Sequence, residues 1–107
     1  MKLVRTTKVA GISFDHRQNY AGYVSKNRAN TYLFVSREAS NAFDTNAVRV
    51  MAHVRGGKTV QLGYLPKDIA AEVAPRIDAG GRCWVESFTI SRGGPKGTYG
   101  IRLTISY

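Results

Sequence analysis

One cysteine, two histidines and seven acidic residues are all that this 107-residue chain offers to several common chemistries. A lone Cys83 excludes an intramolecular disulfide. With only His16 and His53 beside it, a structural zinc site has too few ligands, so neither metal nor cofactor is expected. Cys83 reads as a small core residue rather than a reactive thiol. No apolar run approaches the roughly 18 residues that a membrane-spanning helix needs. The opening Met1-Lys2-Leu3-Val4-Arg5 lacks the apolar stretch of a signal peptide. The expectation is a cytoplasmic protein without a membrane partner. The carboxylates Asp15, Asp44, Asp68, Glu72, Asp78 and Glu86 lack the close D-x-D spacing that metal-dependent nucleases use. Asp15-His16 would point apart on a strand and suits a surface loop better than an acid/base pair. Gly11-Ile12-Ser13-Phe14 is only a fragment of a nucleophile elbow. No enzyme is expected.

What is present is positive charge and β-forming residues. Sixteen Lys and Arg against seven Asp and Glu leave a formal charge of +9 and a pI near 10.1. Such a surplus attracts polyanions, nucleic acid foremost, although solubility or an anionic protein partner would also account for it. The basic residues are scattered and form no block of five, so any binding face must be assembled by the fold. Hydrophobic content of 43%, with six Tyr, four Phe and one Trp, suits one folded domain over residues 1–107. Internal repeats, low-complexity segments and linkers are absent from the sequence.

Val4–Ser13 reads as a strand that bends near Gly11, and 14–30 as mainly loop, with room for one short helix or ragged strand. Thr31–Glu38 alternates, with Tyr32 and Phe34 on one side and Leu33 and Val35 on the other. Val48–Val54 and Thr59–Tyr64 flank Gly56-Gly57 as a hairpin. Pro66–Ala79 is helical, with Ile69, Val73 and Ile77 as its apolar stripe and Gly80-Gly81 as its stop. Pro75 predicts a break near Val73–Ala74 and hence two short pieces. Cys83–Ile90 and Thr98–Ile105 are two more strands joined by an exposed Gly-rich loop. The expected fold is mainly β: a small, partly open barrel of five or six strands with one interrupted helix. Trp84, Phe88 and Phe34 sit mid-strand and are assigned to its core.

The richest stretch is Ser40–Val50, a turn crowded with Asn and Asp that runs into a strand. Asn41, Asp44 and Asn46 can each bond nearby backbone N–H groups and hold such a turn. Together with Arg37-Glu38 before it and Gly63-Tyr64-Leu65-Pro66-Lys67 after the hairpin, this stretch resembles the signature of the HIRAN domain, over about Val9 to Ser106. The resemblance implies an OB-like module that binds single-stranded DNA at free 3′-hydroxyl ends, often beside a helicase or nuclease. A stand-alone copy would then serve as a targeting unit in DNA repair, replication or mobile-element processing. The competing reading is a protein-interaction module that docks a helicase or nuclease partner with little DNA affinity of its own.

By the same resemblance the site would comprise Ser13, Phe14, Arg17, Phe43, Asp44, Tyr64, Lys67 and Tyr99. Asp44 would accept a hydrogen bond from the terminal 3′ hydroxyl; its plainer role is to hold the turn. A carboxylate there accepts from a sugar hydroxyl and repels a phosphate. Phe14, Phe43, Tyr64 and Tyr99 would stack on bases, each contact contributing roughly 1–3 kcal/mol; for Phe14 and Phe43 core packing is an equal alternative. Lys67 would meet a phosphate or be an ordinary solvated lysine. DNA-binding members carry Arg-Tyr where this chain has Ser13-Phe14, a lost guanidinium for which Lys8 or Arg17 could substitute. Tyr64 stands where some members have His.

Overall fold

The hydrophobic alternation of the strands produces two three-stranded antiparallel sheets in a computed structural model that describes residues 2–14 and 16–107. Met1 and Asp15 lie outside the described residues, and with them the Asp15-His16 reading and the first residue of the opening segment. The elements run β1 (Val4–Lys8), α1 (Arg17–Lys26), β2 (Thr31–Arg37), β3 (Val48–Val54), β4 (Thr59–Tyr64), α2 (Lys67–Asp78), β5 (Trp84–Gly93) and β6 (Thr98–Ser106). One sheet has the order β1-β6-β5 and the other β2-β3-β4. The fold is therefore mainly β, OB-like and partly open, as expected.

β3 shows how the pattern encodes the core. Val48, Val50, Ala52 and Val54 are buried while Arg49, Met51 and His53 alternate outward. Leu62 of β4, Leu103 and Ile105 of β6, and Ile69 and Val73 of α2 meet Val48, Val50 and Ala52 in one cluster. Full burial of side chains of this size stabilises by about 1.5–3 kcal/mol each. The β3–β4 ladder has a bulge at Val50/Met51, just before Gly63 and Tyr64 of β4. There Ala10 and Tyr64 exchange both backbone hydrogen bonds, at 2.8 and 2.9 Å, and tie the two sheets together. The ladder is closed at this single bridge because Gly63 lets the chains approach: a Cβ on it would stand 2.3 Å from the Ala10 carbonyl oxygen. On the other side β2 and β5 run past each other without a ladder among the described residues. Arg28 fills that seam, donating to the Phe88 carbonyl at 2.6 Å with its guanidinium 4.1 Å from the ring.

Four expectations need correction. Residues 17–26 form a regular helix rather than mainly loop; it buries only Ala21 and Val24, too few apolar positions to leave a period in the sequence. α2 runs unbroken through Pro75. Pro75 and Ala71 are both exposed, so the carbonyl that loses its i→i−4 partner can be hydrated instead. Trp84 is 50% exposed, because the alternation of β5 sends Val85 inward, and the Lys2 ammonium lies 5.7 Å from its ring. Phe34 packs on Tyr32 at 6.0 Å on the outer side of β2, opposite Leu33, and so lies off the core. Phe88 does pack on the core, as does Cys83, whose thiol burial pushes its pKa up to about 11. The Gly-Gly hairpin and the Gly80 stop hold, with φ of +75° at Gly56 and +92° at Gly80.

Candidate functional site

Beside the Ala10–Tyr64 bridge opens a cleft of about 900 Å³. Three separate segments build it: the turn after β1 with the start of α1, the Asn/Asp loop between β2 and β3, and the passage from β4 into α2. Phe14 and Arg17 come from the first, Phe43 and Asp44 from the second, and Tyr64, Leu65 and Lys67 from the third. Six of the eight residues expected at the site thus share one cavity. Ser13 and Tyr99 do not line it. Ser13 is exposed in the preceding turn. Tyr99 is held against α1 by Gln18, which accepts from its N–H at 2.7 Å and donates to its carbonyl at 2.9 Å. Its ring lies 4.9 Å from the Arg92 guanidinium instead. Of the two candidates to replace the missing arginine, Arg17 lines the cleft and Lys8 lines a different concavity.

The rings at the rim are exposed apolar surface. Phe43 is 93% and Phe14 65% exposed, so the core alternative does not hold for either. Their backbones are nevertheless fixed. Asn41 Oδ1 accepts from the N–H of Phe43 at 2.8 Å and of Asp44 at 2.9 Å, and Asp44 Oδ1 accepts from Asn46 N–H at 2.9 Å. Asn41 and Asp44 therefore do hold the turn through their side chains, whereas Asn46 takes part through its backbone N–H, and Asp44 also lines the cleft. On the opposite wall Gly11, with φ of +70°, allows the turn that presents Phe14, and Arg17 Nη1 donates to the Gly11 carbonyl at 2.9 Å. The Arg17 guanidinium lies 5.3 Å from the Tyr64 ring centre, a cation–π contact that orients both.

Glu38, quoted in the signature but given no role by the sequence, joins the walls. Its Oε1 accepts from Tyr64 Oη at 2.8 Å and from Asn41 Nδ2 at 2.7 Å, and its Oε2 lies 3.6 Å from Arg49 Nε. The hydrogen bond from Asn41 first, then that from Tyr64 and the charges of Arg49 and Arg17, hold its carboxyl below the usual value of 4.5 against the opposing effect of burial. Its neighbour Arg37 points the other way, gripping Asp78 at 3.0 and 3.2 Å and the Ala47 carbonyl at 3.1 Å, which pins the far end of the loop to α2. Because the folded pKa is depressed, the charged form stabilises the fold. That contribution is fully present above pH 4.5 and is lost as pH falls through the depressed value. Glu38→Gln is expected to melt below the wild type at neutral pH, with the gap closing in acid; a gap independent of pH would mean that the charge of Glu38 is not what anchors the loop.

Most acidic groups are already engaged. Glu86, Glu72, Asp78 and Glu38 pair with Lys2, Arg5, Arg37 and Arg49. Arg17 and Lys67 make no ion pair among the described residues, and the cleft lining combines these two cations with one carboxylate, Asp44. Among the described residues no three His, Cys, Asp or Glu side chains cluster as a metal site, and no helix is long and apolar enough to cross a membrane.

No curated protein and no solved structure matches the chain significantly. The HIRAN domain family model matches residues 4–106, so the loop, the bridge and every residue of the cleft fall within it. On that match the chain belongs to the HIRAN domain family, a family of DNA-binding modules.

Proposed function

We propose that the domain binds single-stranded DNA at free 3′-hydroxyl ends through this cleft, without performing chemistry, and so targets a helicase or nuclease partner to its substrate in repair, replication or mobile-element processing. The observation that carries the reading is the company Asp44 keeps: the one carboxylate of the cleft lining, beside the exposed Phe14 and Phe43 rings, the half-buried Tyr64 ring and the cations Arg17 and Lys67. Rings offer stacking surfaces to unpaired bases, and the cations suit the internal phosphates. A carboxylate in that position accepts from a sugar hydroxyl and repels a terminal phosphate. Fluorescence anisotropy with matched single- and double-stranded oligonucleotides ending in 3′ hydroxyl or 3′ phosphate tests it. Tightest binding should go to the single strand with the hydroxyl end; equal affinity for all four would refute end recognition.

Charge supplies a second check. Affinity should fall with salt at about 0.7 log units per phosphate contact. Lys67→Glu, within the cleft, should reduce both affinity and slope. Arg76→Glu should do neither, since Arg76 lies on α2 away from the cleft with its guanidinium 5.4 Å from the Tyr107 ring. Equal effects of the two reversals would put the binding face elsewhere.

A further inference from the structure

We propose that the outer face of the β1-β6-β5 sheet is a second contact for the same ligand, a track along which the DNA backbone leaves the cleft in the 5′ direction, with Lys8 and Arg102 as its phosphate-binding cations. The proposal rests on the reading of the cleft as a 3′-end site. Strand register places Lys8 opposite Arg102 and Arg102 opposite Thr89, with Thr6 opposite Thr104 and Ser91 opposite Gly100 along the same face. The alternate residues of β6, Ile101 and Leu103, are buried, so this face is the outward one. Around Lys8 and Arg102 it carries hydroxyls and cations; its carboxylate, Glu86, sits at the other end of the sheet, where it accepts from Ser106 and pairs with Lys2.

Two like charges directly opposite each other destabilise a sheet. Neither Lys8 nor Arg102 has an acidic partner among the described residues to offset that cost, whereas Lys2, Arg5, Arg37 and Arg49 each do. An anionic ligand would supply the missing neutralisation. The place for it exists: a concavity of about 220 Å³ lies between Lys8, Arg102, Ser91 and the chain at Val9 and Ile12. Ala10 and Gly11, between those last two residues, line the cleft, so one short segment is the common wall of both cavities. Cations and hydroxyls are the side chains that contact phosphate oxygens without reading sequence. With the 3′ terminus in the cleft, the strand can leave only 5′-ward, and this cationic concavity adjoins the cleft.

The test compares Lys8→Ala/Arg102→Ala with wild type on a 3′-hydroxyl dinucleotide and on a 3′-hydroxyl strand of about ten nucleotides, within the usual site range of such modules. Wild type should bind the longer strand more tightly. In the double variant that gain should shrink about tenfold and the salt slope for the long strand should drop by about 1.4, at about 0.7 per lost phosphate contact. Dinucleotide affinity and the preference for a 3′ hydroxyl should stay as they were. An unchanged length gain, or an equal loss on both oligonucleotides, overturns the track and leaves the cleft reading standing. A wild type that binds neither oligonucleotide overturns the cleft reading and the track with it. Relief of the like-charge pair should leave the melting temperature at or above that of wild type. If the double variant nevertheless unfolds, Arg102→Gln alone, which keeps length and hydrogen-bonding capacity, is measured the same way with half the expected change in slope.

Discussion

Asp44→Asn should collapse the discrimination between a 3′ hydroxyl and a 3′ phosphate. In the wild type a hydrogen bond to the carboxylate is worth on the order of 1.5–3 kcal/mol, so a phosphate end, which removes that donor and adds repulsion, should bind at least about tenfold more weakly. The two ends then respond in opposite directions to the variant. Binding of the hydroxyl end weakens as the acceptor loses its charge, while binding of the phosphate end strengthens as repulsion disappears. The fold should tolerate the change, because among the described residues the one bond Asp44 makes through its side chain is to the N–H of Asn46, and an amide oxygen can accept it. Paired anisotropy titrations on the two ends, with circular dichroism as the folding control, decide the matter. A folded variant with wild-type discrimination would reduce Asp44 to a turn former and the domain to a general single-strand binder.

Gly63→Ala should be among the most destabilising single-methyl additions available. The new Cβ would meet the Ala10 carbonyl oxygen at 2.3 Å and Val9 Cγ1 at 2.7 Å, and the first of these is backbone that cannot rotate away. Overpacking of this kind costs typically about 1–3 kcal/mol. If the chains part, the two backbone hydrogen bonds between Ala10 and Tyr64 go too, at about 1 kcal/mol each. A loss near 3 kcal/mol lowers the melting temperature of a domain this size by more than about 10 °C. Affinity should fall even well below the transition, since Tyr64 and Ala10 are both walls of the cleft. Gly57→Ala is the matched control: its Cβ would also meet an atom at 2.3 Å, but that atom is the Tyr23 hydroxyl at the end of a movable side chain. Equal melting temperatures for the two variants would contradict the close approach at Gly63.

Why some of this was legible in the sequence and some was not follows from how local each interaction is. The loop was readable because Asn41 and Asp44 bond to backbone two or three residues on, so their effect is written within the segment itself. The strands were readable from alternation, as β3 illustrates. α1 was not, because it is held by Ala21 and Val24 packing on distant strands and by the Gln18 bonds to Tyr99, 81 residues away. Pro75 points the other way for the opposite reason: a strong local rule is overridden by the burial of Ile69, Ala70, Val73 and Ala74 along one side of α2. The aromatics divided by which face of a strand they occupied, which is why Trp84 and Phe34 left the core while Phe88 stayed. Glu38 could have been found from its signature position beside Arg37, but its partners Tyr64 and Arg49 lie beyond any local window.

The seam between β2 and β5 has a consequence for solubility. Two sheets that do not share a ladder there leave strand edges whose unpaired N–H and C=O groups could template a strand from another molecule. Arg28 occupies that position with its donor on the Phe88 carbonyl and its charged plane over the ring. A bulky cation on an edge acceptor both uses up the acceptor and repels an approaching chain that carries the same +9 excess. The residue that fills the gap in an incomplete barrel thereby also guards it against edge-to-edge aggregation, a protection that a fully closed barrel obtains from its ladder alone.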